Sequence, residues 1–284
     1  MATPPQNASR GSDSNVDLAQ AAGPCPVAPL PKNTSLGANA TMKMHLRWLH
    51  IPKTGTFFIR PLIAFSCPQF SQMQVIRAGQ GAGLKDCGRY LKPGHPPFVS
   101  DAHPCGYLTN LRDPLVRIAS GFVHGFHDCP SMGNIGNRNN NEPLTIQKSL
   151  RACRNLTDDI VLAYANCVSG FMTRMLAGAS CGGKGENVTD DQEQLANKRL
   201  AQMAFVGITD DWKASIKCFL ARFPNRLKDD GFFVEHHENP SPSSDCRNRV
   251  LSVLHRHNFT DATDMRLYEK ALQRHQSTCR ITRK

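Results

Sequence analysis

Leu46-Arg47-Trp48-Leu49-His50-Ile51-Pro52-Lys53-Thr54-Gly55-Thr56-Phe57-Phe58 runs apolar, breaks into a lysine, two threonines and a glycine, and turns apolar again. The pattern predicts a buried strand, a tight turn and the first turn of a helix. Gly55 lets the backbone approach a ligand closely, the first helical N–H groups lack intrahelical acceptors, and Lys53, Thr54 and Thr56 add a positive charge and donors. These are the parts of a cradle for one phosphate or sulfate group. The triphosphate-binding pattern Gly-x-x-x-x-Gly-Lys-Ser/Thr places its lysine after the glycines, whereas Lys53 comes before Gly55.

A second strand-turn-helix follows. Gly106-Tyr107-Leu108-Thr109-Asn110-Leu111 leads into Arg112-Asp113-Pro114 and then Leu115-Val116-Arg117-Ile118-Ala119-Ser120-Gly121-Phe122. Asp113 reads as an N-cap and Pro114 as the first helical residue. Leu115, Ile118, Ala119 and Phe122 share one face, with Arg117, Ser120 and His124 on another stripe. Arg112 at the strand end and Ser120 on the helix are placed to converge on one anion.

On these residues the chain resembles the Golgi-type carbohydrate sulfotransferases. His50-Ile51-Pro52-Lys53-Thr54-Gly55-Thr56 is similar to their 5'-phosphosulfate loop, and Leu111-Arg112-Asp113-Pro114 through Ser120-Gly121-Phe122 to their 3'-phosphate segment, with the family's eight-residue separation of arginine and serine. Weaker likenesses follow in order at Phe171–Gly178, Ala204–Asp211 and Asp264–Ala271, so the resemblance spans roughly residues 45 to 275. It implies a P-loop-NTPase-like three-layer α/β sandwich with a mostly parallel central sheet. It also implies 3'-phosphoadenosine 5'-phosphosulfate (PAPS) as co-substrate, with Lys53, Thr54, Gly55, Thr56 and Phe57 on the phosphosulfate and Arg112 and Ser120 on the 3'-phosphate.

The base is sought between the two segments. Gly94-His95-Pro96-Pro97 and His103-Pro104 each hold a histidine in a proline-stiffened stretch just upstream of the second strand, suited to accept a proton. The resemblance, which places a base histidine in this interval and often in a Gly-His pair, favours His95 over His103. The expected reaction is sulfuryl transfer to a carbohydrate hydroxyl, with Lys53 neutralising charge on the bridging oxygen. The alternatives are a P-loop kinase or nucleoside triphosphatase, and a non-catalytic polyanion-binding protein.

Composition agrees with a polyanionic partner. The 284 residues carry a net charge of +11 and a pI near 9.3, with 40% hydrophobic and 20% charged residues, enough for one sizeable core. Only 7% are aromatic, and no helix-turn-helix, zinc-finger spacing or RNP-like segment is present, which argues against nucleic acid. An acidic or partly sulfated polysaccharide fits better. Residues 1–44 are rich in Pro, Ala, Ser, Asn and Gly and read as a disordered tail or stalk ahead of a catalytic domain at 45–284.

Eleven cysteines without a Cys-x-x-Cys pair favour disulfides in an oxidising compartment over zinc. Asn-x-Ser/Thr sequons at Asn7, Asn33, Asn39, Asn155, Asn187 and Asn258 point the same way. The Golgi lumen or secretory pathway is therefore expected. Cytoplasm is the alternative, because no leader and no apolar run of about 18 residues is visible in the sequence. His124, His127 and Asp128 lack a further partner at fixed spacing, so no metal site is expected.

The rest reads as alternating elements. A helix over Phe57–Phe65 must kink at Pro61 or begin later than Gly55 suggests. Gly79–Gly83 and Asn134–Asn141 read as loops, and Asn155–Leu176 as helical. Gln192–Met203 reads as helix, Ala204–Ile208 as strand, and Thr209-Asp210-Asp211 as the cap of a helix carrying Trp212, Ile216, Phe219 and Leu220. Val250–Gln276 is helical, with Arg249, Arg256, Arg266, Lys270 and Arg274 on a polar face that is either solvated or a polyanion groove. Adjacent His236 and His237 point opposite ways on extended backbone and do not chelate together.

Overall fold

The computed structural model describes residues 47–66, 75, 95, 97–99, 106–129, 132, 153, 156–180, 187–223, 233 and 244–280. The expected tail, the two loops at Gly79–Gly83 and Asn134–Asn141, His103 and the His236-His237 pair lie outside them. Within them the chain is a mostly helical α/β protein built on a small open sheet of three parallel strands. The strands are β1 (Arg47–Leu49), β2 (Tyr107–Leu111) and β3 (Phe205–Ile208), in the spatial order β1-β2-β3. Trp48 pairs with Leu108, and Leu108 in turn with Phe205.

Period-two alternation sorts the strand side chains onto two covered faces. Leu108 and Phe205 pack with α1 (Ile59–Ser66) and α6 (Trp212–Arg222), where Phe58, Leu62, Ile63, Ile216 and Phe219 are fully buried. On the other face, Leu49, Tyr107, Leu111, Val206 and Ile208 meet α4 (Phe171–Ala177), α5 (Asp190–Gln202) and α8 (Ala262–Arg280). A third, all-helical cluster joins α2 (Pro114–Val123), α3 (Asp158–Val168) and α7 (Ser244–Arg256).

Local chemistry explains the boundaries. Thr56–Phe58 forms a 3-10 turn and α1 starts only at Ile59, so Pro61 falls in the first helical turn, where its missing N–H costs little. Asp113 caps α2 by accepting Val116 N–H at 3.0 Å, with Pro114 first in the helix. The helical pattern over Asn155–Leu176 is two helices, divided at Ser169-Gly170, where Gly170 sits at φ +68°. The stretch Asp158–Ala177 is long and apolar enough to cross a membrane, but 67% of its apolar window is buried in the protein. Thr157 and Thr189, the third residues of two sequons, cap α3 and α5, the latter in a reciprocal capping box with Gln192.

Among the described residues three disulfides close, Cys129–Cys167, Cys153–Cys246 and Cys218–Cys279, with Cα separations of 5.9, 5.4 and 5.3 Å. They fit an oxidising, secretory-type environment. Two lie in the helical cluster, and the third clasps the end of α8 to α6. Cys218→Ser is expected to cost about 4 kcal/mol, the loop-closure entropy of a link this long, read as a fall in urea midpoint under non-reducing conditions.

Candidate anion-binding and proton-transfer site

All three strands deliver a piece of the site from their carboxyl ends. After β1 comes the Lys53 turn, after β2 Arg112, and after β3 Thr209 and Asp210. The Arg112 guanidinium donates to the Lys53 carbonyl at 3.3 Å, across a separation of 59 residues. Thr209 Oγ1 donates to the Thr54 carbonyl at 2.6 Å. The two turns picked out in the sequence therefore meet, and β3 braces them.

The loop is shaped by backbone more than by hydroxyls. Lys53 lies at φ +65° and Gly55 at φ +99°. A Cβ at Gly55 would come within 3.1 Å of the Trp212 ring and 3.2 Å of Thr209 Oγ1, so tight packing beneath the loop adds to the conformational need for glycine. Thr54 is buried and donates its hydroxyl to the Ile51 carbonyl at 2.8 Å, so its proton points into the loop rather than to a ligand. Thr56 Oγ1 lies 3.2 Å from His50 Nε2, and the His50 ring stacks on Trp48. The N–H groups of Gly55 and Thr56 meet no backbone acceptor among the described residues, as an anion cradle requires.

Arg112 is held on a second side by Asp210, 3.7 Å from its Nε. Asp210 also accepts the Asp113 N–H at 2.9 Å and the Tyr268 hydroxyl at 3.1 Å. Burial and then the Asp210 carboxylate push the Tyr268 phenol up, which keeps it a donor. The residues meant to cap α6 thus bind across the site, and no side chain caps that helix. Arg247 of α7 stands close enough to Arg112 to repel its charge and forms no ion pair among the described residues. Nothing in the sequence singled it out. Ser120 lies about two turns along α2, 8% exposed, with no hydrogen bond from its hydroxyl to either turn among the described residues.

The histidine predicted as base comes to the same place. His95 Nδ1 lies 3.2 Å from the His50 carbonyl, and its ring sits 4.5 Å from that of His50 and 5.3 Å from that of His127. A carbonyl only accepts, so Nδ1 carries the proton and the lone pair is on Nε2. His127 and Asp128, in the turn that ends α2, were not joined to His95 by any sequence signal, being more than thirty positions away. Burial first, then the charges of His95 and Lys53, push the His127 imidazole down to about 3, so it stays neutral.

Lys53 is pushed down from 10.5 to about 8 by burial and then by Arg112, with Asp128 opposing. Its ammonium is therefore held above pH 7 by a narrow margin. The basic residues of the C-terminal stretch are mostly engaged elsewhere. Arg249 donates to the Cys153 carbonyl, Arg256 pairs with Asp158, Arg266 with Glu193, and Arg274 donates to the Leu200 and Met203 carbonyls. These contacts clasp that face to neighbouring elements.

Comparison with family models, with curated proteins and with solved structures finds no match to this chain.

Proposed function

We propose that the protein transfers a sulfuryl group from PAPS to a hydroxyl of a carbohydrate acceptor in the secretory pathway, on a P-loop-like three-layer scaffold. The observation that carries this reading is the contact between Arg112 and the Lys53 turn, which gathers two anion-binding turns at the carboxyl ends of adjacent parallel strands. The N–H groups of Gly55 and Thr56 and the Lys53 ammonium suit the phosphosulfate, and Arg112 with Arg247 the 3'-phosphate, with Ser120 further along α2. The net charge of +11 favours an anionic glycan.

His95 Nε2 takes the acceptor hydroxyl proton as the acceptor oxygen bonds to sulfur. The bond from sulfur to the bridging oxygen breaks, and Lys53 neutralises the charge left on the released phosphate, giving 3',5'-ADP and a sulfate ester. Transfer of labelled sulfate to a glycan panel tests the reaction. Stabilisation against heat by 3',5'-ADP, exceeding that by ATP with magnesium, tests the donor class; the opposite order would favour a kinase or triphosphatase.

Lys53 gives a pH signature. Because the ammonium is the active form and is lost above about pH 8 in the free protein, kcat/KM is expected to fall as pH rises through that value. Lys53→Arg should remove this alkaline limb, and Lys53→Ala should lower kcat about 10²–10³-fold at pH 7. Full activity in the alanine variant would end the role assigned to Lys53.

A further inference from the structure

We propose that His95, His127 and Asp128 form a binding site for a divalent cation of the zinc class, with one ligand atom from each. The three ligand atoms lie within 4.8 Å of one another. Two imidazoles and one carboxylate are the donor set that borderline-soft cations such as Zn2+ take, with three protein ligands and one position left open. Zinc at about 2.1 Å from each ligand sets them about 3.4 Å apart, so no pair of ligand atoms need close by more than about 1.4 Å on loading.

The supporting shell is already built. His95 gives its Nδ1 proton to the His50 carbonyl, which orients the ring and directs the Nε2 lone pair outward from that bond, the outer-shell arrangement common to metal-bound histidines. His127 and Asp128 are fixed by their turn. The His127 N–H donates to the Gly121 carbonyl at 3.1 Å, its carbonyl accepts the Tyr164 hydroxyl at 2.9 Å, and the next residue, Cys129, is tied to Cys167. Gly125, Phe126 and Asp128 all have positive φ, at 85°, 52° and 63°. A packed helix end and a disulfide hold a non-glycine left-handed aspartate where its carboxylate comes 3.4 Å from the His127 ring. The charge of Lys53 beside Asp128 opposes a cation and weakens the site.

The test uses the full chain stripped with a chelator, titrated with Zn2+ by calorimetry and with Co2+ by visible absorption. One equivalent of Zn2+ is expected to bind, and Co2+ to give the intense d–d bands of a four-coordinate site. His127→Ala and Asp128→Asn should each weaken Zn2+ binding by more than the roughly 10–100-fold that loss of an outer-shell partner costs. His255→Ala, at an exposed position of α7, should leave it unchanged. If His127→Ala does not fold, the isosteric Asp128→Asn decides alone. No saturable binding, or binding that persists in Asp128→Asn, overturns the site. A further arm rests on the function proposed above: zinc on His95 would remove the base, so it should inhibit transfer competitively with acceptor and not with donor. The cobalt spectrum stands or fails without that arm.

Discussion

Alanine at position 95 is expected to lower kcat about 10²–10⁴-fold while leaving 3',5'-ADP binding unchanged. The reason is geometric. His95 is oriented by the His50 carbonyl, which belongs to the same turn that presents Lys53, so base and lysine are referred to one short piece of backbone. Losing the imidazole removes the proton acceptor without touching the Gly55 and Thr56 amides or Arg112. Single-turnover transfer of labelled sulfate, read beside a thermal shift with 3',5'-ADP, separates chemistry from donor binding. Wild-type transfer in His95→Ala would make the residue a polar loop histidine. Retained ADP binding with no transfer in the wild-type protein would favour a polyanion-binding protein instead.

Asp264→Ala is expected to destabilise the fold by about 3–5 kcal/mol, a large share of a typical domain's stability. Helix α4 begins at Gly170, which has no side chain to cap it. Two carboxylates from the start of α8 do so from more than ninety positions away. Asp264 accepts the Met172 N–H at 2.9 Å, the Thr173 N–H at 2.9 Å and the Thr173 hydroxyl at 2.8 Å, and Asp261 accepts the Gly170 N–H. Arg117, 3% exposed, faces both carboxylates at 3.9 and 3.8 Å and donates to the Val168 carbonyl. Removing Asp264 leaves three buried donors and a buried guanidinium short of acceptors. Urea unfolding measures the cost.

The same cluster carries a pH dependence. Burial first, then the neighbouring Asp264, raise the Asp261 carboxyl to about 7, against about 4 in the unfolded chain. The folded protein then holds a proton that the unfolded chain releases, so the contribution is full below about pH 4 and lost as pH rises through 7. Wild-type stability is expected to fall over that window, and Asp261→Asn to lose that fall, read by urea unfolding at several pH values.

What the sequence disclosed was local. Asp113-Pro114 announced its helix because cap and first turn are adjacent. Pro61 left a kink or a late start open for α1, and the late start is what forms. Thr209, Asp210 and Asp211 also looked like a cap, yet Thr209 hydrogen-bonds to Thr54 and Asp210 holds Arg112, because a loop between parallel strand ends faces its neighbours before it faces its own helix. Arg117 shared a stripe with Ser120 by periodicity, but its partners come from α8, which periodicity on α2 does not reveal. The nearness of His127 and Asp128 to His95 was hidden for the same reason, and the cysteine pairing could not be deduced from spacing at all.

Helix α8 completes nearly everything. Leu267 and Ala271 fill the core on one side of the sheet, His275 Nδ1 meets the Val206 carbonyl at 3.2 Å, and Cys279 is bonded to Cys218. The amino-terminal elements therefore have no finished interior to collapse into while the chain is still being made. Until α8 docks and the Cys218–Cys279 bond closes, the earlier elements carry exposed apolar surface, so docking of this helix is the step at which the chain is most open to misassociation.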